Sequence, residues 1–231
     1  MSSPASPEPS VTAILLSWRR HRMLEEIAAK IAGWGRVGEV IVWNNDPETT
    51  LSLPFATVIQ SGRNFGCLAR YAMVPLARYD TIWFQDDDVM LDEPQFEAVH
   101  AAYREDSSRI YGCQGRNLAD GRYSPKPAYG ECDILVGQTM LFHRSLLRHL
   151  TAFIGRLPVS TFADDIAFSL SCPTRHWAVN VEPVVEIGWD DEHACWRRPG
   201  HFEERQRQVD LILAARADRE EAASPRSVNP L

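Results

Sequence analysis

Two hydrophobic rhythms run along this chain. VTAILLS (11–17), EVIVW (39–43), Phe55–Gln60 and TIWFQ (81–85) are short apolar runs rich in β-branched and aromatic residues, and each predicts a buried strand. Between them a longer period appears. Leu24, Ile27, Ala28 and Ile31 recur at i, i+3, i+4 and i+7, which predicts an amphipathic helix from His21 to Trp34. A second helix is predicted over Leu68–Leu76, with Pro75 confined to its end. The second half predicts a helix over Pro94–Glu105, a strand into a turn over 109–115 and a strand over 132–142. Gly121, Pro125, Pro127 and Gly130 make 116–131 a long loop. Further helices are predicted over Ser145–Ile154, Asp164–Cys172 and Gly200–Ala215, the last with Glu203, Glu204, Arg205 and Arg207 on its wet side. Strands alternating with helices predict an α/β fold: a mixed, mainly parallel sheet flanked by helices, in one domain spanning 11–216. The Ser/Pro-rich residues 1–10 read as a disordered lead and 217–231 as a flexible tail.

Composition narrows the field. The 231 residues suffice for one sizeable domain, and the net charge of −7 argues against a protein that coats nucleic acid. Five cysteines, an odd number without metal-type spacing, read as reduced thiols of an intracellular, cytoplasmic protein. No signal peptide is evident in MSSPASPEPS, and no apolar run approaches the ~20 residues of a membrane span, so a soluble chain is expected.

The chemistry concentrates at strand ends, where ligands bind in open α/β sheets. Asp86, Asp87 and Asp88 follow the apolar run Thr81–Phe84 and Gln85, and Val89, Met90 and Leu91 follow them. Three adjacent carboxylates repel one another and require water or a cation. Mg²⁺ or Mn²⁺ carrying a diphosphate fits such a site; a solvated acidic turn reads the same way on the triplet alone. Other strand ends add Arg19 and Arg20, Asn44 and Asn45, and Arg63, Asn64 and Arg70. Arginine forks suit diphosphate, and asparagine amides suit a nucleobase edge or ribose.

LLSWRR (15–20), VWNND (42–46), N-x₅-R from Asn64 to Arg70, QDDDVML (85–91), YGCQGR (111–116), ILVGQTMLF (134–142), ADDIAFSL (163–170) and HACWR (193–197) stand in the order of a known family. Over about 11–213 the chain resembles the GT-A glycosyltransferases, most closely the exostosin family, glycosyltransferase family 64. The resemblance implies a GT-A fold and a metal-dependent, retaining transfer of a sugar, of hexosyl or N-acetylhexosaminyl type, from a nucleotide-sugar, usually a UDP-sugar, to an acceptor hydroxyl. It implies Asp88 as the main metal ligand, with Asp86 and Asp87 contacting ribose or sugar and helping to set the Mn²⁺ or Mg²⁺. Arg20, Asn44, Asn64 and Arg70 match positions that contact uridine and its phosphates. Asp165 matches the acid at the reacting sugar, and Arg197 the arginine near the leaving oxygen, with His193 close by. The family's animal members are larger and membrane-anchored, and N-x₅-R is one residue longer here than the family spacing.

Plainer readings stand beside these. Asp164 and Asp165 can simply open a helix, and His193 and Arg197 can be an i,i+4 pair. Gly137 can mark a bulge or a close ligand approach. Trp189 and Trp196 can stack on a sugar or fill a core. A nucleotidyl- or phosphotransferase would use the same acids, but no glycine-rich phosphate loop is present. A non-catalytic sugar- or nucleotide-binding protein is the third reading. Arg116, Arg122 and Lys126 are candidates for the acceptor edge, and the acceptor class stays open among glycan, lipid-linked sugar, small molecule, protein and modified DNA base.

Overall fold

The predicted strands set the frame, and the parallel half follows the sequence closely. The computed structural model describes residues 8–154, 157–182, 184–187 and 194–223. Val11–Ser17 (β1), Val37–Asn44 (β2), Thr57–Gln60 (β3) and Thr81–Gln85 (β4) run parallel to one another, with helices His21–Ala32 (α1) and Ala69–Met73 (α2) among their connections. Val89–Met90 (β5) leads into helix Glu93–Glu105 (α3), which Asp92 and Gln95 open with reciprocal side-chain-to-backbone bonds. The short strands Tyr111–Gly112 (β6), Gly115–Arg116 (β7), Leu118–Ala119 (β8), Arg122–Tyr123 (β9), Gly130–Cys132 (β10) and Ile134–Leu135 (β11) precede the longer Thr139–His143 (β12). Helices Leu147–Thr151 (α4) and Asp164–Ser171 (α5), strands His176–Ala178 (β13) and Val185–Glu186 (β14), and helix His201–Ala223 (α6) complete the chain.

The main sheet has eight strands in the order β10-β13-β6-β12-β4-β1-β2-β3. Alternate residues of each strand enter opposite cores. Ala13, Leu15 and Trp83 meet Leu24, Ile27 and Ile31 of α1 and Phe96, Val99 and Tyr103 of α3. Ile14, Ile82 and Phe84 face the other way, toward Tyr71, Ile166, Phe168, Val209 and Ile212. Burial on both faces explains why the central strands read as continuous apolar runs.

Several expectations change in detail. The helix expected over Leu68–Leu76 is an α-helix only to Met73; Pro75 lacks the N–H to continue it, and Val74–Leu76 tightens to a 3₁₀ turn. The strand expected over 132–142 is broken at Asp133 and again at Val136–Gln138: Cys132 ends β10 and β12 lies in the same main sheet, while β11 between them pairs with β7 in a separate one. The loop expected over 116–131 contains the hairpin β8–β9. The tail expected from 217 is helical through Ala223, and the lead is already ordered at Ser10, whose N–H donates to the Arg36 carbonyl at 2.9 Å. β13 and β14 carry too few residues for a periodicity to show. Among the described residues no helix is long and apolar enough to cross a membrane.

The parallel order places the carboxyl ends of β1, β2, β3 and β4 along one edge. β12 runs antiparallel to β4 with Thr139 opposite Gln85, so it begins where β4 ends. The break before it delivers Gly137 and Gln138 to the same edge, and the Asp86 N–H donates to the Gln138 carbonyl at 2.9 Å.

Candidate active site

At that edge the acidic triplet meets two arginines. Arg19, at the end of β1, adopts a left-handed conformation with φ 63°, uncommon for a side chain of its size, and turns Arg20 back over the sheet edge. Arg20 Nη2 lies 2.5 Å from Asp87 Oδ1 and its Nη1 lies 2.7 Å from Asp88 Oδ2. Arg70 of α2, itself buried, donates from Nη2 to Asp86 Oδ1 at 2.9 Å and from Nη1 to the Gly137 carbonyl at 2.8 Å. Its Nε stands 3.6 Å from Asp164 Oδ2.

Charge in this cluster does not balance. Asp86, Asp87, Asp88 and Asp164 face Arg20 and Arg70, so four negative groups meet two positive ones, a formal −2 when all are ionised. The strain shows in the carboxyls. Burial pushes the Asp86 carboxyl up to about 6, against the pull of Arg70 and with Asp88 and Asp164 adding repulsion. Burial also holds Asp87 well above the ordinary range despite Arg20, and raises Asp164 despite Arg70. Burial works against the charge on both arginines, and the surrounding acids overcome it. Asp88 Oδ1 is buried with no hydrogen-bond partner. Among the described residues no three of His, Cys, Asp and Glu form a ready-made ligand shell. A divalent ion at Asp88 therefore fits as one that draws further ligands from a diphosphate and water, which is how Mg²⁺-type sites are usually built.

Asp165 is held separately. Arg205 Nη2 lies 2.8 Å from its Oδ2, the Gly137 N–H donates to the same oxygen at 3.2 Å, and the Ile166 N–H donates to Oδ1 at 2.8 Å. Burial alone would raise this carboxyl, but Arg205 and the backbone donors outweigh it and hold it below the usual carboxylate range. Arg205 corrects the sequence reading, which put it on the wet side of the last helix; it is 6% exposed. It sits one turn before Val209 on the stripe Arg205, Gln208, Val209, Ile212, all buried. The signal was its helical phase with Val209 and Ile212, masked by the charged neighbours Glu203, Glu204 and Arg207. Gly137 serves through its backbone: a Cβ there would stand at an ordinary 3.4 Å from Asp165 Cβ, so steric need does not demand glycine.

The asparagines shape the floor. Asn44 is fully buried; its Nδ2 donates to the Thr49 carbonyl at 2.7 Å and to Gln60 Oε1 at 2.9 Å, and its Oδ1 accepts from Asp46 N–H. What it presents to a ligand is the loop it braces rather than a free amide. Asn45 ties that floor to the 61–66 loop, accepting from the Phe65 N–H at 3.0 Å and Trp43 Nε1 at 3.1 Å and donating to the Gly66 carbonyl at 3.2 Å. Asn64, exposed on this loop, caps a turn by accepting from the Gly66 N–H at 2.7 Å. Gly66 has φ 64°, and a Cβ there would stand 2.7 Å from Thr161 Cβ, so this glycine is required.

Arg197 belongs to the exposed 3₁₀ turn Cys195–Arg197, with its guanidinium 5.3 Å from the Trp196 ring centre. All five cysteines are free, and the electrostatics couple the Cys67 thiol, pushed up, to the Cys195 thiol, pulled down. Cys195 also feels the charges of Asp86, Asp164 and Arg20. Trp196 is exposed rather than core. His193 and Trp189 lie outside the described residues. Arg116 is half-buried and engaged with Gln114 and the Gly115 carbonyl, while Arg122 and Lys126 are exposed.

With this geometry in place, comparison with known proteins is informative. A family model described as a glycosyl transferase family 64 domain matches residues 11–215. No curated protein sequence matches the chain. Among solved structures, the mannosyltransferase PcManGT from Pyrobaculum calidifontis in complex with GDP-Man and Mn²⁺ superposes with a TM-score of 0.61 at 16% identity, covering 94% of this chain and 77% of that one. S. aureus TarS 1-349 superposes with a TM-score of 0.59 at 15% identity, covering 88% of this chain and 65% of that one. At such identities the likeness concerns the fold, and the fold is GT-A.

Proposed function

Since the chain belongs to glycosyltransferase family 64, we propose that this site moves a sugar from a UDP-sugar to an acceptor hydroxyl with retention at the anomeric carbon. The observation that carries the reading is the unbalanced cluster at the carboxyl edge: four acids against two arginines and a buried, unpartnered Asp88 Oδ1. Asp88 and Asp86 would hold Mn²⁺ or Mg²⁺, which when bound screens charge on a departing diphosphate.

The chain's own groups supply the rest. Arg20 lies beside the same carboxylates and presents a planar fork suited to phosphate oxygens. Arg70 backs Asp86 and fixes the Gly137 carbonyl from inside the protein. Arg197 stabilises the leaving oxygen from the adjoining turn. Asp165 stays ionised and faces the positive charge that develops at the anomeric carbon. Three donors already engage its oxygens, which favours a stabiliser over an attacking nucleophile. In that version the acceptor oxygen bonds to the anomeric carbon on the face the diphosphate leaves. The acceptor's proton passes to the departing phosphate oxygen.

Calorimetric titration of UDP and GDP, with Mn²⁺ or with EDTA, on wild type and Asp88→Ala tests the reading. Mn²⁺-dependent UDP binding that is lost in the variant supports it. Preferential GDP binding, matching the nucleotide of the GDP-Man bound to the mannosyltransferase from Pyrobaculum calidifontis, would keep the transferase and replace the donor. No nucleotide binding under any condition would overturn it.

A further inference from the structure

The carboxylate at position 165 owes its setting to a helix that no site motif reached. Arg205 projects from α6, crosses to α5 and bonds Asp165 Oδ2 at 2.8 Å, while its own Nε is buried without a partner. Among the described residues it is the one cation bonded to Asp165. Among the described residues, the other titratable or charged groups facing this carboxylate are His201 from α6, Tyr71 and Arg70 from α2, and Asp164 from α5 itself.

The arginine is itself held. Its guanidinium lies 4.8 Å from the Tyr123 ring centre. The Tyr123 N–H donates to Gln206 Oε1 at 2.7 Å, so the β8–β9 hairpin lies on α6 at this point. Burying a guanidinium costs several kcal/mol of desolvation that one carboxylate only partly returns. Adhesion between α5 and α6 does not need it, since Val209 and Ile212 continue the same stripe as apolar residues. The charged pair stands where α5 begins, beside Gly137 and the triplet, and not in the middle of the helix interface.

We infer that Arg205 is a positioning residue for the transfer proposed above: from α6 it fixes the orientation of Asp165 and keeps it anionic toward the reacting sugar. The inference rests on that reading. Arg205 touches no donor atom in this scheme; its effect passes through Asp165.

The test compares wild type, Arg205→Gln, Arg205→Lys and Tyr123→Leu in three measurements: the carboxyl ¹³C titration of Asp165, assigned with Asp165→Asn; the calorimetric Kd for UDP with Mn²⁺; and kcat against pH. Donors are a panel of UDP-hexoses, UDP-N-acetylhexosamines and GDP-mannose. Arg205→Gln should raise the Asp165 titration, leave the nucleotide Kd within about threefold, lower kcat by ~10–10², the usual cost of losing an outer-shell partner, and move the acid limb of the kcat profile upward. Arg205→Lys should restore both the titration and most of kcat. Tyr123→Leu should shift both the same way by less, which keeps the inference testable if Arg205→Gln does not fold. An Asp165 titration and acid limb unchanged in Arg205→Gln, beside an active wild type, overturn the role of Arg205 alone. So does a loss of kcat that merely follows thermal stability and is not restored by lysine. A wild type that binds no nucleotide with Mn²⁺ and releases no diphosphate from any donor in the panel, to water or to acceptor, removes the donor-site reading, and the inference with it, leaving Arg205 a structural counter-ion.

Discussion

Arg20 Nη1 lies 2.7 Å from Asp88 Oδ2, so the carboxylate matched to a metal ligand is already paired with a protein cation. The same guanidinium holds Asp87, whose side chain is 6% exposed. Arg20 thus serves as counter-ion to two acids that no other side chain neutralises by direct contact among the described residues. Arg20→Ala should lower the stability of the protein in EDTA by about 3 kcal/mol, the scale for leaving a buried charge unpaired. Added Mn²⁺ and UDP should recover part of that loss through ligand binding to the folded state. Thermal melts with and without Mn²⁺–UDP decide it; equal melting temperatures for variant and wild type in EDTA would mean that the cluster tolerates its charge without Arg20.

The acid at position 86 makes the opposite prediction. Its folded carboxyl titrates near 6, above the ~3.9 of an unfolded aspartate. A raised folded value means the native state binds the proton more tightly. The stability this contributes is fully present below about pH 4 and is lost as pH rises through about 6. Asp86→Asn removes the ionisation, and Arg70 keeps the Gly137 carbonyl and Asp164 as partners. The variant should therefore be more stable than wild type by about 1–2 kcal/mol at pH 7.5 in EDTA, with the gain vanishing toward pH 4. Nucleotide binding with Mn²⁺ should weaken in the same variant. A gain independent of pH, or a loss at pH 7.5, would show that the Arg70 pair and not repulsion governs this site.

How far the chain could be read without its structure depends on the kind of signal. The parallel half is legible because burial on both faces gives unbroken apolar runs, and β1 and β4 match their expected bounds. The edge where the acids gather follows from strand direction alone. The second half is less legible because its strands are two or three residues long, apart from β12, and no period can be recognised over such a length. Arg205 was hidden for a different reason. A charged residue between other charges reads as solvated, and only its phase with Val209 and Ile212 reveals that it points inward. Asn44 was recognisable as a strand-end amide, but its engagement with Thr49, Gln60 and Asp46 depends on a loop conformation that the sequence does not spell out.

The last prediction concerns that loop. Asn45 is 2% exposed, and its amide serves the Trp43 indole, the Phe65 N–H and the Gly66 carbonyl together. It is the staple between the end of β2 and the segment carrying Asn64. Asn45→Ala leaves several buried polar groups without partners, at about 1–3 kcal/mol each, so a clear loss of stability is expected. The functional effect should be selective. Asp165, Arg205 and the triplet make no bond to Asn45, so the reacting groups keep their geometry. The loop on the nucleotide side should loosen, and the Kd for UDP with Mn²⁺ should rise by roughly tenfold, about 1.4 kcal/mol. At saturating donor, kcat should stay within a few-fold of wild type. A variant that binds nucleotide normally would show that the 61–66 loop takes no part in holding it, and a variant that loses kcat at unchanged Kd would place Asn45 on the catalytic side of the cleft.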